Sequence, residues 1–158
     1  YGMIDGDSAS VTEICAIISC LANVPIKQYY AITGSVNQKG DIQPIGGVNE
    51  KIEGFFDVCK KRGLNGKHGV IIPMQNVSDL VLKQEVIDAV NEGNFSVYPV
   101  SQAFEAIELL TGFKAGEPDK NGDYPPDTIF GLVEKRLHDM NNIVNPDKTK
   151  KQHSQKKK

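Results

Sequence analysis

The sequence predicts an α/β domain in which short strands, some of them parallel, alternate with helices. Residues 10–22 and 48–62 place apolar side chains at helical spacing, so each segment has one apolar face. Residues 69–73 form a short apolar run, which is typical of a strand buried on both faces. The chain has 158 residues, 39% of them hydrophobic, which suits one domain of ordinary size with a substantial core.

The first predicted elements are a helix and a β-hairpin. The helix covers residues 10–22 and follows a Gly-Asp-Ser turn, so Ser8 or Ser10 stands where the N-cap belongs. Residues 29–36 are rich in β-branched and aromatic side chains, and residues 41–45 follow after a short turn. We therefore expect these two segments to pair as antiparallel strands.

The remaining predicted elements alternate between helix and strand. They are a helix from Gly46-Gly47 to Arg62, a strand at 69–73, a helix at 78–92, a strand at 96–100 and a helix at 101–110 that stops at Gly112. Short links between them favour an α/β arrangement over separate layers of helix and strand.

The composition changes after the last of these helices. Residues 113–127 are rich in proline, glycine and charged side chains. This composition predicts a linker between a domain at 1–112 and a further helix at 128–142. Residues 143–158 end in a lysine-rich run without acidic residues, which predicts a basic, disordered tail.

The net charge of −2 is unevenly distributed. Without the six lysines of residues 148–158, 12 basic residues remain against 20 acidic ones, so residues 1–147 carry a charge of −8. Because a domain that binds duplex nucleic acid carries a basic face, this acidic body argues against a nucleic-acid partner.

Two segments partly match known ligand-binding motifs, but their spacing does not complete either motif. Gly66-Lys67 does not complete a P-loop, since Lys61 stands where the first glycine belongs and His68 follows the lysine. The acidic turn at 119–123 lacks the glycine and the glutamate of a calcium loop. We therefore expect neither a nucleoside triphosphate site nor a calcium site in this chain.

The cysteines predict a reducing compartment and no metal site. Cys15, Cys20 and Cys59 each lie in an apolar helical segment, and no Cys-x-x-Cys pair is present. We interpret them as small buried residues in the cytoplasm. No run of 18 apolar residues occurs, so we expect no membrane partner.

A serine lies in a turn of small residues directly before the first predicted helix. The segment Asp5–Ser10 reads Asp-Gly-Asp-Ser-Ala-Ser, which leaves room for a substrate carbonyl beside Ser8. Free N–H groups of such a turn can face a developing oxyanion. On this segment alone, an ordinary serine cap explains the pattern better than a nucleophile does.

A lysine lies at the edge of the apolar face of the second predicted helix. Lys51 falls next to Phe55, beside the arc that runs from Val48 to Cys59. Its amine either reaches water along the helix surface or is buried, where the neutral form is favoured. A neutral lysine can accept the proton of a serine, but spacing alone favours the exposed arrangement.

Together these segments resemble the proteolytic domain of the Lon protease family, over about residues 1–112. The serine motif, in the form Gly-Asp-Ser-Ala-Ser, is most similar to B-type and Lon-related bacterial members. The matching segments are Gly6–Ser10, Thr33-Gly34 of the central strand, Pro44–Lys51 as Pro-Ile-Gly-Gly with lysine following after three residues, and Val70–Pro73 as a strand ending in Ile-Pro. The resemblance implies a mixed sheet, a β-hairpin and flanking helices, without the strands that usually precede the serine motif, so we expect a piece of a longer protein.

The resemblance also implies a Ser–Lys dyad, with Ser8 as nucleophile and Lys51 as general base. Thr33 would orient the lysine amine, and Asp5 would support the site from three positions before the serine. The backbone N–H groups that would stabilise the oxyanion are those of Gly6, Asp7 and Ser8.

The implied activity is that of an ATP-dependent serine endopeptidase that degrades unfolded or damaged proteins through an acyl-enzyme. This chain would need no cofactor of its own, while ATP and Mg²⁺ would bind an ATPase (AAA+) module elsewhere in the full-length protein. The implied assembly is a homo-oligomer, a hexameric ring by resemblance. The alternative is a catalytically inactive Lon-like domain that serves assembly or ligand binding.

Overall fold

The computed structural model describes residues 6–146. Five α-helices lie within this range: α1 Ser10–Ala22, α2 Val48–Arg62, α3 Gln84–Asn91, α4 Ala103–Thr111 and α5 Ile129–Val144. The strands are β1 Tyr30–Ile32, β2 Ser35–Val36, β3 Ile42–Gln43, β4 Gly69–Pro73 and β5 Ser96–Val100, and a 3₁₀ helix covers Met74–Asp79. The predicted α/β class is confirmed.

The strands form a parallel sheet and a separate antiparallel hairpin. The sheet has the order β1-β4-β5, and its central strand pairs Ile71 with Ile32 on one side and Tyr98 on the other. In the hairpin, β2 pairs with β3, with Val36 opposite Ile42. Parallel and antiparallel pairs therefore occur together, as predicted.

The central strand β4 separates two hydrophobic clusters. All five of its residues are buried, and successive side chains point to opposite faces of the sheet. Ile71 packs with α1, α4 and α5 on one face, whereas Val70 and Ile72 pack with α2 and α3 on the other. A strand covered on both faces explains the uninterrupted apolar run of its sequence.

The predicted strand at 29–36 is divided in two. The backbone of Gly34 leaves the sheet and pairs with the start of α1, where its N–H donates to Ser8 O at 2.9 Å and its carbonyl accepts from Val11 N at 3.2 Å. A Cβ at Gly34 would lie 3.1 Å from Ile42 Cγ2. The glycine thus permits a close approach that ends β1 before β2 begins.

The predicted helix at 78–92 is wrong over its first half. The 3₁₀ helix ends at Asp79, the chain then runs extended, and α3 begins at Gln84. Side chains of α2 take the backbone N–H groups in between, because Asn49 Oδ1 accepts from Val81 N at 2.9 Å and Glu53 Oε1 accepts from Lys83 N at 3.0 Å. Val81, which lies in this extended stretch, is 81% exposed.

Two smaller predictions are also wrong. Neither Ser8 nor Ser10 caps α1: the N-cap is Ala9, and no side chain bonds there. Cys15 and Cys59 are buried, but Cys20 is exposed. Burial raises the pKa of the Cys15 thiol to about 11, which keeps it protonated near neutral pH.

The helix α5 packs on the same core as the earlier elements. Thr128 Oγ1 accepts from Gly131 N at 3.2 Å and caps the helix. Ala115 and Ile129 are buried in the cluster that contains Ile71. The carbonyls of residues 114 and 115 accept from residues 129 and 130 at 2.9 Å, which ties the connecting segment to the helix.

Some predictions fall outside the described residues. These are the placement of Asp5 and most of the predicted basic tail, residues 147–158. Within residues 6–146, no helix combines the length and the apolar character needed to cross a bilayer. The same range holds no cluster of three or more His, Cys, Asp or Glu side chains arranged to bind a metal ion.

Candidate active site

The turn before α1 presents the side chain of Ser8. Gly6 has a φ of +90°, a left-handed conformation that glycine adopts without strain. Asp7 O then accepts from Ser10 N at 2.9 Å, which starts the helix. Within residues 6–146 no hydrogen bond is found from the N–H groups of Asp7 or Ser8, so both remain available to an incoming acceptor.

The segment after β1 holds this turn in place. Ser8 O accepts two hydrogen bonds, from Gly34 N at 2.9 Å and from Thr33 Oγ1 at 3.1 Å. Two residues further along the turn, Ser10 Oγ accepts from Val36 N at 2.9 Å. Together with the hydrogen bond from Val11 N to Gly34 O, these contacts fix the serine turn against the start of the hairpin.

Lys51 reaches the same place from α2. Its Nζ donates to Ser8 Oγ at 3.0 Å and to Thr33 Oγ1 at 3.4 Å. Because the Thr33 hydroxyl gives its own hydrogen to Ser8 O, it can only accept from the lysine. Lys51 itself is exposed, so of the two arrangements open from the sequence the structure adopts the exposed one, with the amine at Ser8.

The start of α2 is held by a buried amide that the sequence did not reveal. Asn76 is 3% exposed, and its side chain forms both hydrogen bonds to the backbone of Ile45: Oδ1 accepts from N at 2.9 Å and Nδ2 donates to O at 3.0 Å. Nδ2 also donates to Asp79 Oδ2 at 3.0 Å. The feature of the sequence that could have indicated this role is a polar amide three residues after the fully apolar strand β4.

A second contact missed from the sequence lies beside the serine. Ser35 Oγ donates to Asp7 Oδ2 at 2.6 Å, although 28 positions separate the two residues. Ser35 is 4% exposed, whereas Asp7 is exposed. In the sequence, the only indication of this contact was weak: Ser35 is a small hydroxyl residue two positions after Thr33.

A cavity of about 290 Å³ opens at Ser8. It is lined by Ser8, Ala9, Thr12, Ala31, Ile32, Thr33, Lys51 and Val70. A larger cavity of about 540 Å³ lies between β5 and α4, but it contains none of the three residues that meet at the serine. We place the candidate active site in the smaller cavity, because a reacting carbonyl must lie next to a nucleophile and its base.

The predicted site residues therefore divide into three groups. Ser8, Lys51 and Thr33 lie within hydrogen-bonding distance of one another. Gly6 and Asp7 lie in the turn that carries Ser8, where their oxyanion role stays a prediction. Asp5 lies outside the described residues.

Comparison with known proteins decides the family. Residues 3–111 match the Lon protease (S16) C-terminal proteolytic domain. The chain belongs to the Lon protease family. This is a family of proteases, so the resemblance read from the serine and lysine motifs is confirmed, and the hydrogen-bonded serine and lysine lie inside the matched region.

Individual relatives agree with this assignment. The chain is 45% identical to a protein named as a Lon protease homologue from Haemophilus influenzae, over 87% of this chain and 23% of that protein. It is 56% identical to one from Escherichia coli, over 70% and 19%, and 39% identical to an archaeal Lon protease from Archaeoglobus fulgidus, over 68% and 16%. The chain thus spans about a fifth of the length of these Lon relatives.

Proposed function

We propose that this chain carries the proteolytic site of a serine endopeptidase that works through a Ser8–Lys51 dyad. The observation that carries the proposal is the 3.0 Å distance between Lys51 Nζ and Ser8 Oγ, across 43 positions of sequence. A nucleophile within hydrogen-bonding reach of a base, with a third group that orients the base, is the general arrangement for acyl transfer.

In the acylation step, Ser8 Oγ attacks the carbonyl carbon of the scissile peptide, and its proton passes to the neutral Lys51 amine. Thr33 Oγ1 accepts one N–H of that amine, which turns the nitrogen lone pair toward Ser8. The negative charge that forms on the carbonyl oxygen is stabilised by backbone N–H groups of the serine turn. The lysine ammonium then protonates the leaving amine, and the peptide bond breaks.

In the deacylation step, water replaces the departed amine. Lys51 removes one proton from this water, which attacks the Ser8 ester carbonyl, and the lysine returns the proton to Ser8 Oγ as the ester bond breaks. One peptide bond and one water molecule are consumed, and the dyad is regenerated in its starting state.

A bound peptide would also adjust the base. Lys51 is exposed, and removal of water from around an amine favours its neutral form. A substrate strand in the cavity would cover the amine on the side that the protein leaves open. Binding and activation of the base would then be coupled.

The finer features of the activity rest on family membership. By family membership we expect that this protein requires ATP, which a separate ATPase module binds with Mg²⁺. We also expect a homo-oligomeric ring, and unfolded or damaged proteins as substrates. The names of the relatives support a Lon-type protease, and their length leaves room for further modules.

The decisive experiment is peptide hydrolysis by the complete native polypeptide that contains these residues. Ser8→Ala and Lys51→Ala should each reduce kcat at least 10³-fold, the order of loss seen when one member of a catalytic unit is removed. Lys61→Ala, on the same helix and outside the site, is the matched control and should retain activity. Unchanged turnover in both site variants would exclude the dyad.

A covalent probe distinguishes the protease from an inactive Lon-like domain. A fluorophosphonate should label Ser8 in the wild-type protein and fail to label it in Lys51→Ala, because attack by the serine needs the base. Mass spectrometry of the labelled peptide identifies the site. An unlabelled wild-type protein would favour the alternative in which the domain serves assembly or ligand binding.

A further inference from the structure

The carboxylate next to the serine bonds a residue of the hairpin and not the dyad lysine. Asp7 directly precedes Ser8, yet its Oδ2 accepts from Ser35 Oγ at 2.6 Å on the hairpin side. The carboxylate of an exposed residue is thus held by the hydroxyl of a residue that is 4% exposed. Neither side chain has a role in the mechanism described above.

The direction of this carboxylate matters because Lys51 bonds the very next residue. A carboxylate attracts an ammonium group more strongly than a hydroxyl does, and it favours the charged form of the lysine. A carboxylate of Asp7 released from Ser35 could therefore compete with Ser8 Oγ for the amine. Among residues 6–146 the ion pairs found do not include one between Asp7 and Lys51.

The other acidic groups on the elements around Lys51 do not occupy this position. Among the described residues that line the cavity at Ser8, Lys51 is the only ionisable one. On α2 and the 3₁₀ helix, Glu53 Oε2 pairs with Lys83 Nζ at 3.2 Å, and Asp79 Oδ2 accepts from Asn76. Among the described ion pairs, none joins Lys51 to Glu13 of α1, or to Glu50 or Asp57 of α2.

We propose that Ser35 is a positioning residue that holds the Asp7 carboxylate away from Lys51, so that the amine bonds Ser8 and can act as its base. This inference rests on the proposed dyad and adds a requirement to it. The Asp7 carboxylate can then lie beside the nucleophile without disturbing the lysine base, because the Ser35 hydroxyl holds this carboxylate.

The pH profile of kcat/KM for a fluorogenic peptide, measured on the complete native polypeptide, tests the proposal. In Ser35→Ala, the rising limb of this pH profile should move to higher pH by about one pH unit. This is the lower end of the pKa change that a nearby opposite charge causes. Below the midpoint, activity should fall about tenfold, and at high pH it should approach the wild-type plateau. Adding Asp7→Asn to Ser35→Ala should return the limb to its original position, because the competing charge is gone.

Two further variants make the result unambiguous. Ser19→Ala removes a hydroxyl that donates to Val24 O at 2.6 Å, far along α1, and should leave the midpoint in place. Asp7→Glu places the carboxylate one methylene further out, where the Ser35 contact is lost, and should raise the midpoint even if Ser35→Ala fails to fold.

The outcomes separate the two proposals. An unmoved midpoint in both Ser35→Ala and Asp7→Glu, with or without a uniform loss of activity, would overturn the role of Ser35. The dyad itself is tested by Ser8→Ala and Lys51→Ala. Their loss of turnover does not depend on the midpoint of the pH profile.

Discussion

Thr33 joins the two halves of the candidate site through a single hydroxyl. Its Oγ1 donates to Ser8 O at 3.1 Å and accepts from Lys51 Nζ at 3.4 Å, so it touches the nucleophile's backbone and the base at once. Thr33 is 9% exposed and therefore lacks water to replace either contact. Its position, directly after β1, comes from the parallel pairing with β4.

Replacement of this hydroxyl should reduce turnover more than binding. Thr33→Val keeps the shape of the side chain but removes both hydrogen bonds, so kcat should fall about tenfold to a hundredfold, while KM changes little. Thr33→Ser restores the hydroxyl and should recover most of the activity. Steady-state kinetics on a fluorogenic peptide provides both parameters, and equal kcat values for the valine and serine variants would contradict the assignment.

Motifs identify some residues of the site and not others. Ser8, Thr33 and Lys51 could be found because each lies in a short segment of distinctive sequence. Ser35 and Asn76 could not, since a serine and an asparagine are common surface residues and their partners, Asp7 and Ile45, are about 30 positions away. Only the fold shows that their side chains are buried and bonded.

The position of α2 depends on contacts at its start. Its apolar face packs Val48, Ile52 and Phe56 against the sheet, which sets the rotation of the helix and so the direction of Lys51. Asn76 fixes the preceding loop by bonding Ile45 through both its amide atoms. Because the lysine is one turn into the helix, a displacement of this loop would carry the amine away from Ser8.

Removal of that amide should therefore affect stability and catalysis together. Asn76→Ala leaves the N–H and carbonyl of Ile45 without their partner and should lower the free energy of unfolding by about 1–3 kcal/mol. Chemical denaturation measures this loss. Asn65→Ala, at an exposed position whose amide oxygen accepts from Lys67 N at 3.1 Å, is the matched control.

The catalytic consequence can be measured on the same pair of proteins. Asn76→Ala should lower kcat for peptide hydrolysis under conditions where the protein remains folded, and Asn65→Ala should not. Full activity in a destabilised Asn76→Ala would show that the loop does not position Lys51.

The chain folds around one sheet with a hydrophobic cluster on each face. The cluster on the α1 side includes residues from both ends of the described range, among them Val11, Ile71 and Ile129. The helix that carries the serine turn at its start is thus packed against α5 as well as against the sheet. Stability of the candidate site and stability of the core are therefore connected.

A substitution that creates a cavity beneath α5 should destabilise the whole domain in a single unfolding transition. Ile129 is fully buried, and Ile129→Ala should lower the free energy of unfolding by about 2–5 kcal/mol. Ile143→Ala in the same helix, at a side chain that is 77% exposed, should change it by less than about 0.5 kcal/mol. Thermal denaturation should show one transition that shifts down in Ile129→Ala; a small separate transition would mean that α5 unfolds on its own.

Local patterns were enough for the class of the fold, the positions of α1, α2, β4 and β5, and the family. These features depend on spacing within a segment or on short motifs, because helical and strand periodicity and family motifs are properties of neighbouring residues. Tertiary structure decided the rest. It divided the strand at Gly34 and shortened the helix before Gln84, since in both places backbone groups found partners far away in the sequence. Tertiary contacts also joined Asp7 to Ser35 and Asn76 to Ile45, because these partners are about 30 positions apart and no pattern along the chain links them.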